Sequence, residues 1–255
     1  DASVGMYHES MKLFRTDYLD YYLFHSLGSN FNDLNGRIFD CGVAEYFLKE
    51  REAGRIRNLG FSFHGDVEVF DYLLQKSGID WDFVQIQMNY VDWKHAQGAS
   101  VGAEYLYGEL AKRNIPVVIM EPLLGGRLSN MPSHIVARLK QREPQRSVAS
   151  WAFRYAGTFP EVLTVLSGMT YMEHLQDNIS SYSPLVPLNE EEFAFLYDTV
   201  DMMMDYPTIP CNDCKYCMPC PYGIDIPGVL LHYNKCVNEG NIVADESSMN
   251  YRKAR

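Results

Sequence analysis

Cys211, Cys214, Cys217 and Cys220 stand three residues apart, and Pro221 follows the last of them in the string CNDCKYCMPCPYGIDIP. Four of the chain's six cysteines fall in this one run. Thiolates crowded this closely either share a cation or pair as disulfides. Consecutive Cys-x2-Cys spacings ending in Cys-Pro are a form that wraps an iron–sulfur cluster. Zinc sites more often set two cysteine pairs a dozen or more residues apart. Disulfides between such near neighbours meet poor geometry, and no export signal is read here that would favour them. A [4Fe–4S] site is therefore expected, with Cys211, Cys214 and Cys217 as ligands; zinc and disulfides are the weaker alternatives. Cys220 either completes the same site or serves a second one, as the Cys before Pro does in two-cluster proteins. Cys236 is a candidate remote ligand, although a buried thiol is the simpler reading for it and for Cys41.

The elements that position this run come from a chain of 255 residues, 47% hydrophobic, which is enough for a barrel-sized domain and an appendage. A net charge of −11 argues against nucleic acid and anionic membranes as partners. No apolar run approaches the length of a membrane span. Reduced, clustered cysteines fit a cytoplasmic setting. The 18 tyrosines and 12 methionines are scattered, as packing residues are.

Ahead of the cysteines, short apolar runs alternate with amphipathic stretches. The runs are Leu19 to His25, Ile56 to Ser62, Phe83 to Met88, Ile115 to Met120 and Val162 to Leu166. They lack strict alternation, as strands buried on both faces do. Helical patterns lie between them: Val43 to Arg55, with Glu50 and Arg51 outward; Val67 to Lys76, with Asp66 as N-cap; Gly102 to Arg113; and Ser147 to Tyr155. Strand and helix repeated in this way predict a parallel sheet covered by helices. Five strands are read where a closed barrel has eight. Polar groups gather at the strand ends: His25, Ser62 with His64 beyond it, Gln85 and Gln87, Glu121, and Ser167 with Gly168. That is how a barrel site is built.

These residues carry a resemblance. DYLDYYLFH is similar to the fourth strand of aldo/keto reductases, RIRNLGFS to the fifth, VQIQMNY to the sixth, VVIMEPLLGGRL to the seventh and VLTVLSGMTYMEHLQDNI to the eighth. The cysteine run resembles a branch of that family with a C-terminal ferredoxin-like module, in which a second cysteine motif follows. The resemblance implies an α/β fold: a partial (β/α)8 TIM barrel, strands four to eight, followed by a small iron–sulfur module. The expected domains are residues 1–185, a connecting helical segment at 186–206 and the cysteine module at 207–255. The chain is expected to be a fragment lacking the first part of the barrel and the final cysteine motif. Such a remnant has two open sheet edges and is expected to be weakly stable.

By the same resemblance His25 is the histidine of the catalytic Asp, Tyr, Lys and His tetrad, where it orients and polarises a carbonyl. The other three have no counterpart here, so the chain alone is expected to be inactive. Ser62 and Gln85 match contacts to the nicotinamide carboxamide, and Met120 the position that packs on its ring. Phe63 stands where the family often has Asn. Pro122, Leu123, Gly125 and Gly126 match the loop over the pyrophosphate. Ser167, Gly168, Met169 and Thr170 match the turn beside the adenosine phosphate, and Asp177 and Asn178 the adenine contacts. Glu173 stands where many members place a base for the 2′-phosphate of NADP, so NAD and NADP both remain open. The implied function is a nicotinamide-dependent oxidoreductase of small carbonyl or alcohol substrates joined to a [4Fe–4S] cluster, with room for an electron-transfer partner. The alternative is a non-catalytic iron–sulfur protein whose barrel is a binding platform. The segment LNEEEFAFLYDTVDMMM reads as an acid-led helix starting at Asn189, and Gly228 to Asn234 as a short helix after the cysteines.

Overall fold

The computed structural model describes residues 2–28, 30–96 and 102–240. The elements run α1 (Ala2–Phe14), β1 (Leu19–Leu27), α2 (Phe31–Leu34) with a π-helical turn (Asn35–Phe39), α3 (Val43–Glu52), β2 (Ile56–Phe63), α4 (Val67–Gln75), β3 (Phe83–Gln87) and α5 (Asp92–His95). There follow α6 (Ala103–Ala111), β4 (Val117–Met120), α7 (Ser133–Arg142), α8 (Ala149–Thr158), β5 (Val162–Val165), α9 (Met172–Tyr182), α10 (Glu190–Met204) and α11 (Ile226–Asn238).

Among the described residues the five strands form one sheet in chain order, and every neighbouring pair is parallel. Parallel neighbours need a crossover between them, and the intervening helices provide it. Burial follows place in the sheet. Leu59 to Phe63 of β2 are all buried, because helices and side chains cover both faces of an inner strand. The outermost strands are wetter: Tyr21 of β1 and Leu163 of β5 are exposed. The core beneath the sheet is aromatic. Phe24 meets Phe47 and Trp81 edge-on, Phe61 meets Trp81 and Phe70, and Phe63 packs on Phe70. Such tilted pairs add stability beyond the area they bury.

Three expectations need correction. Glu50 does not face outward: it is buried, and its carboxylate accepts from Arg55 Nε and Nη2 at 2.6 and 2.7 Å and from the Tyr7 hydroxyl at 3.2 Å. A buried carboxylate is tolerable when a guanidinium grips both oxygens. Arg55 holds Glu50 below the usual carboxylate range, while burial and Glu50 push Tyr7 up to about 12. Asp66 occupies the N-cap position of α4, but its side chain makes no capping bond; its backbone N–H goes to the Gly28 carbonyl at 3.1 Å. Finally, α11 starts earlier and ends later than expected, because Asp225 caps it and Pro227 sits in its first turn.

The chain divides into two compact units. The first runs to Pro122 and takes in Tyr155–Met172, so it holds the whole sheet; the second comprises Leu123–Arg154 and the described residues from Glu173 onward. In the second unit α7 packs on α10, with Ile135, Leu139, Leu196 and Val200 buried and Arg138 Nε donating to Thr199 Oγ1 at 2.9 Å. Its charged centre is Arg154, whose side chain is 2% exposed. Arg154 binds Glu143 and Glu192, each at 2.8 Å, and its Nε donates to the Val186 carbonyl at 2.9 Å. Burial opposes ionisation of Glu192, yet the Asn189 N–H and Arg154 hold its pKa below the usual range. The same Glu192 closes the expected α10 start as a capping box with Asn189. Arg154→Ala strands two partly buried carboxylates, and the expected loss is about 3 kcal/mol. Urea denaturation of the variant should show a lowered midpoint with an unchanged slope.

Candidate functional site

In the first unit the carboxyl ends of the strands lie on one edge of the sheet. On β1 the pairing with β2 slips between Phe24 and Leu27, and Ser26 there has φ 54°. One extra residue in a strand is a bulge, which bends the strand and re-aims the side chains beside it. The displaced Ser26 N–H donates to Ser62 Oγ at 2.7 Å, and Arg37 Nη2 donates to the Ser26 carbonyl at 2.8 Å. Ser62 is buried, so its hydroxyl is a clamp for the bulge. His25, exposed beside it, lines a cavity of about 440 Å³ with Tyr22, Arg37, Cys41 and Phe47. Cys41 is exposed rather than a buried thiol, its Sγ donating to the Arg37 carbonyl at 3.0 Å.

Just past β2 the backbone presses against the end of β1. A side chain at Gly65 would collide with the Gly28 carbonyl, and the His64 N–H donates to Leu27 O at 3.0 Å. This close approach, open only to glycine, seats His64 near His25. Burial lowers the pKa of His64, His25 lowers it further, and Glu121 opposes both. The sequence placed His64 beyond the end of β2 but gave it no role.

On the next two strands Gln85 and Met120 meet, Nε2 to Sδ at 3.3 Å, so two of the expected nicotinamide contacts are brought together. Asn89 is fully buried. Its Oδ1 accepts the N–H groups of Val91 and Asp92, and its Nδ2 donates to Asp92 Oδ2 at 2.7 Å and to Glu121 O at 3.0 Å. Gln87 also donates to Asp92, at 2.6 Å. This knot fixes the exit of β4, where Glu121 has φ 55°. Sequence reasoning missed its role; the polar residues of QMNYVD, inside an otherwise apolar stretch, were the available signal. Pro122 is buried, Ser167 is half-buried, and Gly168, Met169 and Thr170 are exposed after β5.

In the second unit Leu123 opens a left-handed turn, with Leu124, Gly125 and Gly126 at φ 50°, 62° and 92°. The N–H groups of Gly126, Arg127, Leu128 and Ser129 all bond to carbonyls inside that turn. A Cβ at Gly125 would collide with Nδ2 of Asn212, a residue of the cysteine run. On α9, Asp177 accepts from Ser147 Oγ at 2.6 Å, which in turn receives the Ser150 N–H; Asn178 is half-buried and Glu173 exposed.

The cysteine run has neither helix nor strand. All four thiols are free; Cys214 and Cys217 are exposed, Cys211 and Cys220 half-buried. Asp213 and Lys215, at φ 58° and 62°, flank Cys214. Asn212 Oδ1 accepts the Cys214 N–H at 3.2 Å. The Asn234 side chain holds both the N–H and the carbonyl of Ile209, at 2.7 Å each, which fastens α11 to the start of the run. Cys236 is half-buried on α11, with its sulfur 3.7 Å from His232 Nε2. Among the described residues, no three His, Cys, Asp or Glu side chains are gathered to hold a metal ion. The donor chemistry, four free thiols at regular spacing, suits a thiophilic centre.

The family model of aldo/keto reductases matches residues 6–199, well over half the chain. The chain belongs to the aldo/keto reductase family. The cysteine run lies beyond the matched residues. No curated protein matches the chain. Solved structures do. An aldo/keto reductase from Klebsiella pneumoniae, solved with NADP and acetate, is 26% identical over 74% of this chain and 61% of its own, with TM-score 0.57. The holo form of aldo-keto reductase AKR11C1 from Bacillus halodurans is 20% identical over 75% of this chain and 64% of its own, with TM-score 0.56. A thermostable aldo-keto reductase solved with the inhibitor epalrestat is 21% identical, with the same coverages and TM-score 0.58. This aldo/keto reductase chain thus spans less than two thirds of the length of each. Among its described residues no helix is long and apolar enough to cross a membrane.

The half-buried imidazole of His64 makes stability depend on pH. The pKa of His64 is lowered from 6.5 in the folded chain, so the unfolded chain binds more protons just below that value. The stability that neutral His64 contributes is therefore complete above pH 6.5 and declines as pH falls toward the lowered folded value. Urea midpoints measured across that window should fall with acidification, and His64→Gln should flatten the slope.

Proposed function

We propose that this chain forms the nicotinamide side of an aldo/keto reductase joined to a cysteine-ligated [4Fe–4S] centre. The observation that carries the reading is the end of β1: the bulge at Ser26, pinned by Ser62, turns His25 toward a cavity at the edge of the sheet. An exposed imidazole there can donate a hydrogen bond to a carbonyl oxygen and polarise it. Small carbonyl or alcohol compounds are the substrate class of this reading. When bound, the reduced nicotinamide supplies the hydride.

Gln85 and Met120, already in contact, offer an amide and a soft apolar surface to a nicotinamide, and Ser62, whose hydroxyl holds the end of β1, is the third contact on this side. The dinucleotide contacts of the second unit are Leu123, Gly125 and Gly126 of the turn and Asp177 with Asn178; those of the first are Pro122 and Ser167, Gly168, Met169 and Thr170 after β5. Binding of NADP by the Klebsiella pneumoniae relative favours a phosphorylated dinucleotide, while Glu173 suits the hydroxyls of NAD. Cys211, Cys214, Cys217 and Cys220 are the thiolates that would hold the cluster, which supplies single-electron chemistry or a staple for the loop. An electron-transfer partner belongs to the first of those roles.

Two measurements test the reading. NADPH titrated into the full chain should bind, and Gln85→Ala should weaken that binding by about fivefold, the worth of one hydrogen bond; equal affinity for both chains removes Gln85 from the site. Anaerobically purified chain should be brown and should bleach with dithionite, whereas a colourless chain carrying zinc rejects the cluster. Cys220→Ser should lose the colour if Cys220 is the fourth ligand and keep it if another thiolate serves.

A further inference from the structure

Gly125 is the position in the turn after β4 whose missing side chain leaves a face of the backbone open to close approach. That face is filled from within the same unit. The side-chain amide of Asn212 lies where a Cβ at Gly125 would be, with its Nδ2 against the glycine. The neighbouring Gly126 differs: the nearest atom to a Cβ there is Ser129 Oγ, at 4.0 Å. Asn212 is held in place by its other end, since its Oδ1 accepts the N–H of Cys214 at 3.2 Å. The amide therefore spans from the cysteine run to the glycine turn. The turn has little else to offer a phosphate, because the N–H groups of residues 126–129 are bonded inside it.

We infer that Asn212 and the pyrophosphate of a bound dinucleotide compete for the face of Gly125, so that the cysteine run sets the dinucleotide affinity of the glycine turn. The inference rests on the dinucleotide reading given above and adds to it a residue from outside the family-matched segment. Competition is reciprocal: a ligand that displaces the Asn212 amide also removes the acceptor of the Cys214 N–H. Occupancy of the turn thereby loosens the backbone between the first two cysteines, and a cysteine run that pulls Asn212 away opens the turn.

The test compares the full chain with Asn212→Ala and Asn212→Asp, using NADPH as the probe. Asn212 is exposed, so neither change removes a core contact. The alanine variant, which vacates the face, should bind NADPH about fivefold more tightly, a difference of about 1 kcal/mol. The aspartate keeps the shape and the Cys214 bond but sets a negative charge over Gly125, so it should bind more weakly than the parent chain. Hydrogen exchange at Cys214 should quicken on adding NADPH to the parent chain and be insensitive to NADPH in the alanine variant. Equal NADPH affinity in all three chains overturns the competition while leaving the dinucleotide reading intact. Looser binding by the alanine variant also overturns it, since Asn212 would then be a ligand of the dinucleotide. Absence of NADPH binding in all three removes the dinucleotide reading and the competition with it.

Discussion

Parallel hydrogen bonding between neighbouring strands puts every carboxyl end of the sheet on one edge, and the chemistry of the first unit depends on that. His25, Ser62, Gln85 and Met120 are far apart in sequence, yet each sits at or near the end of a strand whose neighbour runs the same way. The register does the placing. Gln85 pairs with Ser62 across β2 and β3, and Gln87 with Met120 across β3 and β4. The same pairing demands apolar cover on both faces, which explains why the inner strands are largely apolar, with Leu59 to Phe63 of β2 all buried.

Polar side chains at that edge serve geometry before chemistry. Ser62 completes a bulge, Asn89 and Asp92 tie the exit of β3 to the exit of β4, and Gly65 lets one loop press on another. Ser62 and Asn89 satisfy backbone groups that the end of a strand leaves unpaired, and an unpaired buried group costs more than a bond returns. His25 is available for other work because these neighbours have taken over the structural tasks.

The second unit is organised around a buried cation instead of a sheet. Arg154 draws together the end of α7, the approach to α10 and the segment carrying Val186. Glu192 links that network to the helix cap, so charge pairing and helix initiation support each other. The cysteine run is held more sparingly, by Asn234 at one side and by the Asn212 amide at Gly125.

The order of strands and helices, the parallel sheet and the family were legible in the residues alone, because periodicity and strand-end motifs are local signals. So was the acid-led helix start at Asn189, which the structure closes with a capping box. The four free thiols at regular spacing were equally plain, since residue type and spacing are local. Tertiary structure decided the rest. Glu50 looked like a surface glutamate until Tyr7, from another helix, closed over it. Ser26 gave no sign of a bulge, which exists only as a mismatch between two strands. Asn212 was one polar residue between cysteines, and only folding set it against Gly125. Local pattern reports what a segment can become; whether a charge is buried, a strand offset or a glycine face filled depends on partners brought from elsewhere in the chain.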